Sequence, residues 1–213
     1  MIETAKTNLI PRSLFVFAVL YGGMTCIAGI LGAKQVALGP LAVESGIFPF
    51  LLLVVLSSAV AELHGRDVAN RLVRFGFVPL ITAIILIQIV LALPTDPGMY
   101  EPAKEAFPII LSQGARLMFA GIIAYGVSQF LNVYIFSRLA NMKGAMLALR
   151  AAIASALSQL VDTVIFITIA FYGERPIGQL LLGQGSAKVV LSFLLVPFLI
   201  VFFVKLGKRL DRD

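Results

Sequence analysis

Charged side chains are scarce in this chain. Of its 213 residues only 13% are charged, whereas 60% are hydrophobic. A soluble domain carries roughly 25% charged residues, because its surface must face water. Most of the surface of this protein must therefore face an apolar medium, which indicates an integral membrane protein.

Cysteine and histidine are also nearly missing, with one residue of each type, Cys26 and His64. A lone cysteine excludes an intramolecular disulfide, and the sequence has no Cys/His cluster that would bind a metal. An intramembrane serine protease needs a histidine deep in its bundle, whereas His64 falls in a predicted inner loop. Phosphate-loop and nucleophile-elbow motifs are missing too. We therefore predict no enzymatic activity and no cofactor.

Six apolar stretches are long enough to cross a bilayer, whose hydrocarbon core of about 30 Å needs about 20 helical residues. Lipid offers no partners to backbone polar groups, so each stretch must be a helix. The predicted fold class is an all-α integral membrane protein, a six-transmembrane-helix bundle that forms a single domain over residues 1–213. The longest connection, residues 94–113, has room for a short surface helix. The helices are predicted at about residues 13–31, 47–63, 72–93, 115–139, 147–172 and 187–206.

The basic residues predict the orientation of the bundle. With the N-terminus inside, twelve of the seventeen Lys and Arg residues fall on inner segments, and the other five lie on outer segments or near outer helix ends. Cytoplasmic loops of membrane proteins are enriched in Lys and Arg. Both ends are therefore predicted on the cytoplasmic side of the inner (cytoplasmic) membrane. The net charge of +6 reflects this topology, and we expect no nucleic-acid partner.

The fifth predicted helix carries a polar stripe. Ser155, Ser158, Gln159, Asp162 and Thr163 recur at helical spacing. Asp162 lies about twelve residues from Arg150, or roughly 18 Å along the helix axis, which places it near mid-bilayer. A helix–helix hydrogen-bond seam accounts for the serines as well as a binding role does. A carboxylate is costly in a membrane and is usually functional there, so Asp162 is predicted to bind a polar solute.

The fourth predicted helix repeats part of this pattern. Residues 128–136 and 158–166 both read S-Q-x-x-[N/D]-x-x-I-F. Ser128, Gln129 and Asn132 thus give the fourth helix a polar face that is suited to lining one cavity together with the fifth.

Three further charges lie near helix ends. Arg116 and Lys188 begin the fourth and sixth predicted helices on the outer side. They either snorkel to the interface or face the cavity, as counter-charges to Asp162 or as donors to a substrate carbonyl. Glu62 ends the second helix, where it either pairs with a loop arginine or lies at the inner exit of a path. The predicted substrate-binding set is Asp162, Asn132, Gln129, Arg116, Gln159, Ser128, Ser158, Thr163, Lys188 and Glu62.

Several of these strings resemble a known family. The segment ELHGR at residues 62–66 resembles an E-x-Y-G-[K/R] inner-loop signature. Residues 115–139 resemble the fourth-helix motif of the same family, residues 155–171 contain its D-T-x-x-F string, and Lys188 with Val189 resembles the start of its sixth helix. Over nearly the whole chain, the sequence is similar to the queuosine precursor transporters of the vitamin-uptake group.

This resemblance implies import of 7-cyano-7-deazaguanine and 7-aminomethyl-7-deazaguanine, which feed a tRNA wobble-base modification. A guanine-like base presents two adjacent donors that one carboxylate, here Asp162, can accept. Gln129, Asn132 or Arg116 would then form hydrogen bonds with the carbonyl and the ring nitrogens. Because Asn132 is an aspartate in some relatives, we predict a preference for the neutral cyano base.

Two further expectations concern assembly. The six-helix size also suits a substrate-binding, S-component-like subunit of a multi-protein importer, which is the alternative function. A homodimer is plausible as well, because 213 residues make a thin bundle.

Overall fold

The computed structural model describes residues 10–39, 41–112, 115–140, 146–173 and 177–212. Six of its helices are long and apolar enough to cross a membrane, as the sequence predicts. In chain order the elements are α1 (Arg12–Gly32), β1 (Gln35–Leu38), β2 (Leu41–Glu44), α2 (Ile47–His64), α3 (Arg66–Ala92), α4 (Glu101–Leu111), α5 (Ala115–Ala140), α6 (Leu147–Phe171) and α7 (Ile177–Leu210). Every helix but α4 is one of these six.

Two membrane helices begin earlier than their apolar stretches. α3 begins at Arg66, directly after Gly65, whose φ of 88° is easily adopted only by glycine. α7 begins at Ile177, ten residues before the predicted start, and its 34 residues span about 51 Å. The polar residues in these first turns lower the local hydropathy but do not prevent helix formation. The early start of α7 therefore lets it present polar side chains near the outer boundary of the hydrocarbon core.

A short β-hairpin connects α1 to α2 and was not predicted. Its two four-residue strands pair antiparallel, with Gln35 opposite Glu44, and the turn begins at Gly39, which has a φ of 60°. The hydroxyl of Ser45 fixes the end of the hairpin by donating to the carbonyl oxygens of Leu31 and Lys34 at 2.7 and 2.8 Å.

Helix α2 lies at the centre of the bundle and contacts α1, α3, α5, α6 and α7. Between its first residue, Ile47, and Ala61 it has no charged side chain, so it is apolar on all sides and suits a buried position. In contrast, α3 exposes an apolar face that includes Val78, Ile81 and Ile85. Such a face is explained by contact with lipid.

The described chain ends meet at one end of the bundle. The backbone N–H of Ser13 donates to Asp211 Oδ1 at 2.9 Å, and its hydroxyl donates to Asp211 Oδ2 at 2.7 Å. The same hydroxyl lies 2.7 Å from His64 Nε2, at the end of α2. Although desolvation opposes it, the hydrogen bonds from Ser13 and the nearby His64 lower the pKa of Asp211. Both ends therefore lie on one side, which the basic residues identify as the cytoplasmic side.

The cytoplasmic half of the bundle is tightly packed. Phe17 of α1 and Phe203 of α7 form an edge-to-face pair with their ring centroids 5.7 Å apart. Gly207 allows α7 to approach α1 and α2 closely, because a Cβ at this position would overlap Leu63 and press on Phe17. Open space in the bundle is found in the outer half instead.

Candidate functional site

A cavity of about 640 Å³ occupies the outer half of the bundle. It lies between the outer ends of the membrane helices, the β-hairpin and the end of α4, and most of its lining side chains are apolar. The volume is in the range of small-molecule sites, which are typically about 300–1,000 Å³. With the cytoplasmic half packed, the cavity lies on the outer side of the bundle. Among the residues that the structure describes, its charged lining residues are Glu44, Asp162 and Lys188.

Asp162 and Lys188 form an ion pair at the cavity wall. Lys188 Nζ lies 2.9 Å from Asp162 Oδ2, and the hydroxyl of Ser128 donates to Asp162 Oδ1 at 3.2 Å. The side chains are only 9% and 12% exposed for Asp162 and Lys188 respectively. The ammonium also lies 5.7 Å from the centroid of the Phe50 ring. Each charge therefore has a partner in a setting where an isolated charge would be costly.

Helix packing brings these groups together. The extensive contacts of α6 with both α5 and α7 place Asp162 of α6 between Ser128 of α5 and Lys188 of α7. Of the two alternatives for Lys188, the structure places it in the cavity as the counter-charge to Asp162.

A second polar contact lies in the cavity, nearer to the outer surface. The side chain of Gln184 on α7 donates to Glu44 Oε1 at 3.1 Å, and both residues line the cavity. Gln184 lies one turn before Lys188 on the same face of α7, since residues four apart in a helix are neighbours. Neither Gln184 nor Glu44 is in the predicted set.

Gln129 and Asn132 belong to a buried polar network on the cytoplasmic side of the cavity and do not line it. Gln129 Oε1 accepts hydrogen bonds from the hydroxyls of Tyr21 and Ser57 at 3.3 and 3.4 Å. The Asn132 amide donates to the carbonyl oxygen of Val54 at 3.0 Å and to the neighbouring serine hydroxyls of α2. Gln129 Nε2 and Asn132 Oδ1 have no protein partner among the described residues. The network ties α5 to α1 and α2, directly below the cavity.

The remaining polar residues of α6 make contacts within or between helices. Gln159 donates to Ser155 and to Ser192 of α7 at 3.0 and 2.9 Å, which forms a seam between the two helices. The hydroxyls of Ser158 and Thr163 donate to carbonyl oxygens one turn earlier in α6. This is the arrangement of a hydrogen-bond seam of small and polar residues. None of these four α6 residues lines the cavity.

Arg116 and Glu62 lie at opposite ends of the bundle. The Arg116 guanidinium donates to the carbonyl oxygens of Ile169 and Tyr172 at 2.5 and 2.7 Å, where it caps the outer end of α6. Glu62 forms an ion pair with Arg150, which is 8% exposed. This pair joins α2 to α6 on the cytoplasmic side, so Glu62 contributes to the closed inner end.

The structure thus divides the predicted set by position. Asp162 and Lys188 line the cavity, and Ser128 bonds to Asp162 from behind the wall. The other seven residues lie in the network, the seam or the helix ends. The sequence offered one indirect signal for the missed pair. Gln184 lies four residues before Lys188, so the two share a face if the helix extends that far. The predicted sixth helix begins only at residue 187 and so excludes Gln184.

Comparison with known proteins bears on the function of the chain rather than on individual site residues. Residues 44–202 match the model of a protein family described as "Putative vitamin uptake transporter". A protein of Bacillus subtilis (strain 168), described as "Probable queuosine precursor transporter", is 28% identical over 190 residues, which cover 88% of this chain and 78% of that protein. No solved structure matches the chain. Both matched descriptions are of transporters, which does not favour the binding-subunit alternative.

Proposed function

The chain belongs to the vitamin uptake transporter family, and on this premise we propose that it imports queuosine precursors, the 7-deazaguanine bases, across the cytoplasmic membrane. The Bacillus subtilis relative, described as a queuosine precursor transporter, supports this substrate class. The observation that carries the proposal is the Asp162–Lys188 ion pair on the wall of a mostly apolar cavity.

The ion pair complements the hydrogen-bonding edge of a guanine-like base. That edge presents the exocyclic amine, the ring N1–H and the carbonyl oxygen side by side, which makes two donors followed by one acceptor. The Asp162 carboxylate would accept from both donors, and the Lys188 ammonium would donate to the carbonyl. Such charge-assisted hydrogen bonds are among the stronger ones in proteins. An adenine-like base has an amine in place of the carbonyl, so it would oppose Lys188 with a donor.

The ion pair also stabilises the charged groups of the cavity before a base binds. Before the base binds, Lys188 satisfies Asp162, so no buried charge stands alone. When the base enters, its edge would replace this contact with hydrogen bonds to both groups. Because Ser128 donates to the other carboxylate oxygen, Asp162 would keep its orientation during the exchange.

Inward release would need the closed cytoplasmic half to open. The Glu62–Arg150 pair and the contacts among Ser13, His64 and Asp211 hold that end together. We propose that these contacts separate when the loaded protein turns inward, so that Glu62 acts in closure of the path.

Uptake of labelled 7-cyano-7-deazaguanine into vesicles that contain this chain alone tests the proposal. We expect uptake by the wild type and its loss in Asp162→Asn, which replaces a carboxylate oxygen by a donor without changing the shape. Ser186→Ala is the matched control, because that exposed hydroxyl bonds to carbonyl oxygens of its own helix. Normal uptake by well-folded Asp162→Asn would refute the proposed site. Absence of wild-type uptake together with retained base binding would instead favour a binding subunit.

A further inference from the structure

Glu44 places a second carboxylate in the cavity. It ends β2, lines the cavity and is held by the side chain of Gln184, which is 8% exposed. Gln184 and Lys188 are four residues apart on α7, about 6 Å along the axis. The Glu44 carboxylate therefore lies about one turn outward from the Asp162–Lys188 pair.

The charges of the described cavity lining do not balance. This lining contains two acids and one base, and the base, Lys188, lies 2.9 Å from Asp162. Glu44 receives a hydrogen bond from a neutral amide, and within the described residues no cation lies within ion-pair distance of it. A partly buried carboxylate is stabilised by a nearby cation. The lining is thus short of one positive charge, which a ligand could supply.

We propose that Glu44, held by Gln184, is the subsite for a positively charged substituent on the substrate. This proposal rests on the proposed function, and the group it would bind is the ammonium of 7-aminomethyl-7-deazaguanine. The order of groups on the base matches the order of groups on α7. The C7 substituent lies next to the carbonyl oxygen on one long side of the ring system, just as the Gln184–Glu44 contact lies next to Lys188.

Glu44 also resolves an electrostatic conflict in this pose. A base whose carbonyl accepts from Lys188 would bring its own ammonium close to the Lys188 ammonium. A carboxylate beside the substituent offsets this like-charge repulsion. The neutral cyano group creates no such conflict and would gain little from Glu44.

The inferred preference is for the aminomethyl base, whereas the sequence led us to expect a preference for the neutral cyano base. That expectation rested on Asn132, whose amide donates to the Val54 carbonyl and to α2 serines below the cavity. Since Asn132 does not line the cavity, the charge that faces the C7 substituent is that of Glu44.

Competition binding to purified protein tests the subsite. Unlabelled 7-aminomethyl- and 7-cyano-7-deazaguanine would each displace a labelled base from the wild type, Glu44→Gln and Glu105→Gln. Glu44→Gln removes the charge and keeps the size. We expect it to weaken binding of the aminomethyl base by about ten- to a hundred-fold, which is the usual effect of losing a hydrogen bond to a charged group. The affinity for the cyano base should change less than about two-fold. Glu105→Gln, an exposed acid of α4, is the matched control and should change neither.

The outcomes separate the subsite from the proposed function. If Glu44 only holds the hairpin against α7, Glu44→Gln will weaken binding of both bases equally or of neither, and the subsite is refuted. If the wild type binds the cyano base and Glu44→Gln leaves aminomethyl binding intact, the proposed function stands and the subsite falls. If the wild type binds neither base, both are wrong.

Discussion

Lys188→Met should strongly destabilise the protein, because it removes one partner of a buried ion pair. The variant keeps most of the side-chain volume but leaves the Asp162 carboxylate, in a side chain 9% exposed, with the Ser128 hydroxyl as its remaining side-chain partner. Breaking such a pair costs about 3–5 kcal/mol. Because the pair borders a cavity that water can enter, we expect the lower end, about 3 kcal/mol.

This loss converts into a measurable shift of the melting temperature. For a protein of this size, about 1 kcal/mol corresponds to about 2–4 °C, so Lys188→Met should melt about 6–12 °C below the wild type. Asp162→Asn should lose less, because the long Lys188 side chain can turn its ammonium toward water in the cavity. The double variant Asp162→Asn/Lys188→Met has no unpaired charge and should recover to within about 1 kcal/mol of the wild type.

The assay is thermal unfolding of the detergent-solubilised protein, with all four members of the double-mutant cycle measured under one condition. Lys104→Met provides the matched control, since Lys104 forms an exposed pair with Glu101 at 3.6 Å. Exposed pairs contribute at most about 1 kcal/mol, so its melting temperature should shift little. The recovered double variant should still fail to take up the base, which separates the stabilising role of the pair from its binding role.

Two results would refute this reasoning. One is a Lys188→Met variant that melts within the range of the Lys104→Met control. The other is a double variant whose loss equals the sum of the single losses, because additive effects mean that the two side chains do not interact.

Two other perturbations test the packing and the inner closure. Gly76→Ala should destabilise the protein by about 1–3 kcal/mol, because its Cβ would overlap two tyrosine side chains. The control is Gly23→Ala, whose new Cβ would face open space, so it should be neutral or stabilise the protein by up to about 1 kcal/mol. Equal melting temperatures of the two variants would contradict the close packing at Gly76. Glu62→Gln removes the ion-pair partner of Arg150 and should reduce the outward-facing population. A membrane-impermeant maleimide should then label the cavity residue Cys26 more slowly from outside, and an unchanged rate would show that the pair does not hold the closure.

Topology could be predicted well from the sequence because it depends on the number of apolar residues in each segment and of basic residues in each loop. Each membrane helix requires about 20 apolar residues wherever its neighbours lie, and orientation depends on a count of basic residues. The helix starts were less well predicted. α3 begins with charged residues, and the beginning of α7 is interrupted by glycine and glutamine, so a search for continuous apolar stretches could not include either segment.

The candidate site could be predicted only in part. Asp162 was identified because a carboxylate in an apolar helix is conspicuous in any arrangement of the bundle. The same reasoning included Gln159 and Asn132, whose polar side chains the structure uses to join helices. A polar residue on a membrane helix has the same sequence signature whether it faces a cavity or a neighbouring helix.

The sequence by itself thus determined the membrane, the number of spans and the orientation, and it singled out Asp162 as a candidate, since these follow from hydropathy and charge along the chain. The tertiary structure alone decided which charges meet. Lys188 reaches Asp162 from 26 positions away, and Gln184 reaches Glu44 from 140 positions away. Such contacts depend on how each helix is rotated and packed against its neighbours, and no local property of the chain specifies that rotation.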